Sequence, residues 1–118
     1  MHYDLEERTA MFGEQVIDFV KSLKENSINT PLIKQIVRSS TSVGANYCEA
    51  NNASSKKDFK NKIFICKKES SETKHWLRML ARANNDKRED CKLLWEEANE
   101  LTRIFSKIIT SSNIISSS

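Results

Sequence analysis

Glycine and proline are scarce in this sequence, with two glycines and one proline in 118 residues. These residues form the corners of hairpins and tight turns, so three of them cannot supply a sandwich or a barrel. An all-helical chain remains. No apolar run reaches the length of about eighteen residues that a membrane span needs, and the acidic start through Asp4, Glu6 and Glu7 lacks a basic region followed by an apolar one. Neither a membrane segment nor a secretory signal is expected, and the expected compartment is the cytoplasm. The three cysteines, Cys48, Cys66 and Cys91, are odd in number and form no C-x-x-C pair. That pattern excludes a zinc ribbon or disulfide framework, suits a reducing compartment, and reads the thiols as small buried apolar groups. No glycine-rich phosphate loop occurs, so nucleotide-driven chemistry is not expected.

The net charge is only +3, too small to point to a polyanion by itself, so its distribution decides. Residues 54–82 hold nine basic side chains against Asp58, Glu69 and Glu72, a local balance of +6 that leaves the rest of the chain at −3.

What is abundant is helical periodicity. Leu5, Thr9, Phe12, Val16, Phe19 and Leu23 recur in steps of four and three and mark a first helix over about 4–25. Thr30 before Pro31 reads as an N-cap followed by proline at the first helical position, opening a second helix over about 31–51. Its inward face is Ile33, Ile36, Val37, Ser40, Val43, Gly44 and Tyr47, with Ser40 and Gly44 small enough for close helix approach. Ser55 and Asp58 resemble a capping box that starts a third helix over about 55–83. There Phe59, Ile63, Cys66, Ser70, Thr73, Leu77 and Leu80 keep an unbroken rhythm. After the polar stretch 84–90, Cys91, Leu94, Ala98, Leu101, Phe105 and Ile108 define a fourth helix over about 88–111. The expected fold is an all-α, antiparallel, up-and-down four-helix bundle, left-handed because the repeat is seven. It forms one domain over residues 1–112, followed by a fraying serine-rich tail at 113–118.

The third helix has two flanks beside its core stripe. At about 100° per residue, Lys56, Lys60, Lys67, Lys74, Arg78 and Arg82 fall within an arc of roughly 80° and form a basic ridge. Such a rod suits a phosphate backbone, against the plainer alternative of a solvated face. On the opposite flank lie Ile65, Glu69, Glu72, Trp76 and Met79, a mixed stripe that a lone bundle has no core to receive and that is expected to contact another subunit. The competing reading is that Trp76 lies over a loop of its own chain. Trp95, beside Leu94, admits the same two readings.

Glu72 and His75 form a Glu-x-x-His pair, the spacing of helical di-metal sites. Such a site needs two of these motifs, and the only other histidine is His2, outside the helices. No metal, no cofactor and no enzymatic activity are therefore expected, with a metal-dependent enzyme using Glu69, Glu72 and His75 as a remote alternative. A Cys66–His75 nucleophile pair has little support, since the thiol sits on the core stripe.

A resemblance adds to this reading. Gln35, the run Arg38–Ala50, the run Ser55–Phe59, and Lys62, Lys68, Glu69, Glu72, Thr73, Trp76 and Leu77 closely resemble the bacterial family of 23S rRNA intervening-sequence proteins. Arg8, Thr9 and Phe12 in the first helix and Glu97–Leu101 in the fourth extend the match. The family includes the accessory proteins of diversity-generating retroelements, which look like the same bundle and work beside a reverse transcriptase. The resemblance implies a non-enzymatic homo-oligomer, typically a pentameric ring, whose basic surface associates with RNA or DNA. In the alternative it implies an adaptor docking a reverse transcriptase. It also implies a polar network between helices or subunits from Asn46, Glu49, Glu69 and Glu72, paired with Arg38, Lys62 or Lys68.

Overall fold

Side-chain caps set where the helices begin. Asp4 accepts from the Glu7 N–H at 3.2 Å, and Glu6 and Glu7 place negative charge at the N-terminal end of the first helix dipole. Ser55 accepts from the Asp58 N–H at 3.0 Å while Asp58 reaches back to the Ser54 N–H at 3.4 Å, much as the capping-box reading anticipates. The computed structural model describes the backbone of residues 4–117 and the side chains of 4–111. It contains α1 (Leu5–Lys21), α2 (Asn29–Asn51), α3 (Lys56–Ala83) and α4 (Arg88–Ser117), with a 3-10 turn over Asn85–Lys87. Among the described residues there is no strand.

Three boundaries differ from the sequence reading. The second helix starts two residues early, and Thr30 is not its cap. The Asn26 side chain accepts from the N–H groups of Ile28 at 3.0 Å and Asn29 at 2.7 Å instead. Pro31 therefore lies within the first turn, where a missing N–H costs nothing. α1 ends at Lys21 rather than near 25, since Ser22 turns back to the Phe19 carbonyl at 2.6 Å, yet Leu23 still reaches the core. The backbone of α4 continues helically to Ser117, through most of the stretch the sequence sets apart as a tail. The side chains of 112–117, and all of Ser118 and His2, lie outside the described residues.

Each helix packs on its neighbours in sequence, α4 touches α1 more sparsely, and α1 and α3 lie diagonally across the core. The core is the predicted stripe almost throughout. Phe12, Val16, Ile36, Val43, Ile63, Cys66, Leu77, Leu80, Ala98, Leu101 and Phe105 are buried, and Ile109 rather than Ile108 ends the α4 seam. Burial of such side chains stabilises by about 1.5–3 kcal/mol each.

α3 is the shared wall. Its Thr73 hydroxyl pairs with Ser39 of α2 at 2.8 Å, and its Ser70 hydroxyl pairs with Thr102 of α4 at 2.9 Å. Asn29 and Asn84 exchange two amide hydrogen bonds of 3.0 and 2.9 Å, tying the start of α2 to the end of α3. Along α2 and α3 these contacts run in opposite order, from Asn29 with Asn84, through Ser39 with Thr73, to Glu49 with Lys62.

α1 and α2 approach closely where each carries a glycine. A Cβ on Gly44 would stand 3.4 Å from the Thr9 carbonyl, whereas one on Gly13 would stand 3.6 Å from the Thr41 Cα. Neither glycine has a positive φ. Gly13→Ala should therefore raise the unfolding free energy by about 0.5–1 kcal/mol through helix propensity alone. Gly44→Leu should lower it by about 1–3 kcal/mol by driving α1 off. Urea titrations of the two variants check both signs, and a destabilised Gly13→Ala would contradict the geometry.

Candidate nucleic-acid interface

Because α3 is unbroken from Lys56 to Ala83, the angular reading of its surface carries directly into three dimensions. The helix is about 40 Å long at 1.5 Å per residue. Lys56, Arg78 and Arg82 are exposed, and Lys60, Lys67 and Lys74 are half-buried along the side that faces α4. Lys74 fixes that side: its Nζ donates to Asn99 Oδ1 at 3.0 Å and lies 5.4 Å from the centre of the Trp95 ring. Among the described residues none of these six cations makes an ion pair with a carboxylate. The ridge is thus a line of cations without counter-charges of their own.

The rim of α4 beside it was not legible as a site. Arg88, Lys92, Trp95, Asn99 and Arg103 fall within an arc of about 80° on α4, and Lys74 contacts both Trp95 and Asn99. Arg88, Lys92 and Arg103 are exposed, so this groove has cations on both banks, with Glu96 as the neighbouring acid. The signal was present as a second stripe offset from the Leu94–Leu101 seam. Only the pairing of the two helices shows that the stripes adjoin.

The opposite flank of α3 is largely occupied by its own chain. Glu69 is 5% exposed and accepts from Arg38 Nη1 at 2.8 Å. The same guanidinium holds Glu72, and Glu72 accepts from the Trp76 indole N–H at 3.0 Å. Trp76 packs against the core cluster. α2 therefore receives much of the stripe that the sequence reading assigned to a partner, with Ile65 and Met79 half-buried at its edges. The expectation that a lone bundle leaves this stripe uncovered is corrected for Glu69 and Trp76.

The remaining polar residues separate into distinct roles. Lys62 pairs with Glu49 at 3.3 Å, whereas Asn46 donates to the Ser42 carbonyl of its own helix and Lys68 is exposed without an ion pair. Arg8 forms a two-pronged pair with Glu97 at 2.9 and 2.8 Å, joining α1 to α4. His75 is exposed and lies edge-on to Trp76, with ring centres 4.9 Å apart. No group of three or more His, Cys, Asp or Glu side chains among the described residues is placed to hold a metal.

Cys66 and Cys91 are buried, and desolvation pushes their thiols up to about 12 and about 11. At neutral pH both are protonated and unreactive. Cys48 is exposed, contrary to its reading as a buried residue, because it sits just off the Val43–Tyr47–Ala50 stripe.

With this geometry in view, comparison with known proteins is decisive for the family. The model of the 23S rRNA-intervening sequence protein family matches residues 2–107. The chain belongs to that family. A solved structure of a protein of unknown function from the S23 ribosomal protein family of Bacteroides thetaiotaomicron is similar at 33% identity and a TM-score of 0.78. The match covers 88% of this chain and 96% of that one. No curated protein matches the chain. No described helix of this 23S rRNA-intervening sequence protein is long and apolar enough to cross a membrane.

The Arg38 cluster gives a direct test of how α2 and α3 are held together. Arg38→Ala leaves the Glu69 carboxylate buried without a counter-charge and should cost about 1–3 kcal/mol. Glu69→Met added to that variant removes the stranded charge and should restore much of the loss. Denaturant melts of the two variants decide it; an unchanged midpoint for Arg38→Ala would show that Glu69 is satisfied without the arginine.

Proposed function

We propose that this chain is a non-enzymatic, nucleic-acid-associated bundle that assembles with copies of itself in the cytoplasm. One observation carries the reading. Six cations of α3 fall within an arc of roughly 80° that begins at its α4 side, and none of them is neutralised by a carboxylate of the described residues. Lysines placed singly on a surface mean little, but a row along one edge acts on a polyanion by releasing its condensed counterions. Arg88, Lys92 and Arg103 on α4 widen the same field. The family's name links its members to ribosomal RNA insertions, which favours RNA as the polyanion, with DNA as the alternative. Two buried, protonated thiols and no disulfide fit a reducing compartment.

Self-association is proposed at the edge of the α2/α3 flank, where Ile65, Met79 and the rim of Trp76 remain partly open beside the Arg38–Glu72 pair. The ring of five implied by resemblance is kept as the expected size. No residue is assigned covalent chemistry.

Replacing Lys56, Lys60, Lys67, Lys74, Arg78 and Arg82 by glutamine should weaken RNA binding and flatten its salt dependence. On a plot of log affinity against log salt, six lost phosphate contacts correspond to about four units of slope for a single strand. An unchanged slope would mean that the ridge is only a solvated face. Size exclusion with light scattering should give a mass several times that of one chain, reduced by Met79→Asp; a monomer in the parent protein rules out the assembly.

A further inference from the structure

Two large aromatic side chains lie on the basic face with no ring stacked on them. Phe64 on α3 is 48% exposed and Trp95 on α4 is 40% exposed. Phe64 has Lys60 and Lys68 one turn away on either side and Lys67 beside it, and together with Ile65 and Ser71 it lines a shallow apolar depression. Trp95 has the Lys74 ammonium over its ring and no hydrogen-bond partner for its indole N–H among the described residues. Neither belongs to the core cluster or to the partly buried side chains packed against it.

We infer that this face takes single-stranded nucleic acid, stacking bases on Phe64 and Trp95 while the surrounding lysines and arginines hold the phosphates. The inference rests on the polyanion reading above and names the class of strand. Three considerations select it. A base presents a free π-face only when its strand is unpaired, since the A-form duplex turns phosphates and 2′-hydroxyls outward. The centre of a protein-binding patch is poor in lysine, yet Phe64 is surrounded by Lys57, Lys60, Lys67 and Lys68. The two rings also flank the ridge: Phe64 lies about 80° round α3 from Lys74, at the angle of Arg82, and Trp95 lies against Lys74 from α4. The Lys74–Asn99 bond sets Trp95 level with about Arg78, so the rings are separated by about 20 Å along α3, with Lys67, Lys74 and Arg78 between them. Flexible unpaired RNA can follow that line from ring to ring, with its backbone over the cations.

The test compares a short oligouridine with an RNA duplex of the same length, using fluorescence anisotropy of the labelled nucleic acid on the full chain. Phe64→Leu and Trp95→Leu should each weaken oligouridine binding by roughly fivefold or more. The salt slope should stay the same, because no charge is removed, and duplex binding should not change. Trp95→Phe should recover most of the affinity, which a purely structural role for the indole would not predict. In a Trp76→Phe background, where Trp95 is the single indole, oligouridine should quench its emission and duplex should not. Salt-dependent oligouridine binding that is indifferent to both leucine variants overturns stacking and leaves the polyanion reading standing. Absence of binding to either nucleic acid overturns both.

Discussion

The buried Glu69 carboxylate constrains the bundle more tightly than any single apolar contact. A charge at that depth must be paired, and the guanidinium that reaches it among the described residues comes from Arg38 on the neighbouring helix. Sliding α2 along α3 by one turn would strand the carboxylate and also part the Ser39–Thr73 hydroxyls, which sit one residue and one turn further on. Apolar seams tolerate such slips because one leucine replaces another at little cost. Polar pairs do not, since each unmade partner costs its own desolvation. The Asn29–Asn84 amide pair at the end of the same interface adds a third fixed point. Register between α2 and α3 thus follows from these three polar contacts, with Arg38–Glu72 and Lys62–Glu49 beside them, set in a more interchangeable hydrophobic seam.

Fixing one flank of α3 on α2 determines what the other flank presents. The helix turns about 100° per residue, so once Glu69 faces Arg38, Lys67 and Lys74 must face the α4 side. Ser70 then meets Thr102, and Lys74 meets Asn99 and Trp95. The stability of the α2/α3 interface and the presentation of the basic groove are consequences of the same helical phase. A change that rotates α3 within the bundle would disturb both together, whereas a substitution at the exposed Lys56, Arg78 or Arg82 leaves the packing untouched.

The sequence made the helices and most of the core legible because four-three spacing survives any tertiary context that buries one face. Ile63, Cys66, Ser70, Thr73, Leu77 and Leu80 are all buried as their spacing required. It was less reliable wherever a second helix had to be placed. Trp76 and Glu69 read as surplus on α3 alone, whereas Glu69 is buried against Arg38 of α2 and Trp76 is half-buried against the core cluster. Cys48 reads as apolar by residue type and proves exposed, since one position of offset from Tyr47 moves it out of the stripe. Thr30 before Pro31 is a sound cap signal that loses to Asn26, whose amide satisfies two N–H groups at once. The basic ridge could be drawn from α3 alone. Its partner bank on α4, with the open Trp95 ring, needed the inter-helix pairing that Lys74 reveals, whereas Phe64 lies on the outer side of α3 itself.

The small net charge also understates the field a ligand would meet. α1 with its cap carries Asp4, Glu6, Glu7, Glu14 and Asp18 against Arg8 and Lys21, a balance of −3, while residues 54–82 carry +6. α1 and α3 lie diagonally across the bundle, with no close backbone approach among the described residues. Its cross-section is 22 Å, more than twice the screening length of about 8 Å at physiological salt. The acidic corner therefore cannot cancel the basic one at the surface where a polyanion arrives. On the proposed function it acts instead on orientation: a phosphate backbone would be drawn to the α3/α4 groove and repelled from α1. Segregation of charge across the bundle, rather than its total, is what gives a nearly neutral chain one face suited to nucleic acid.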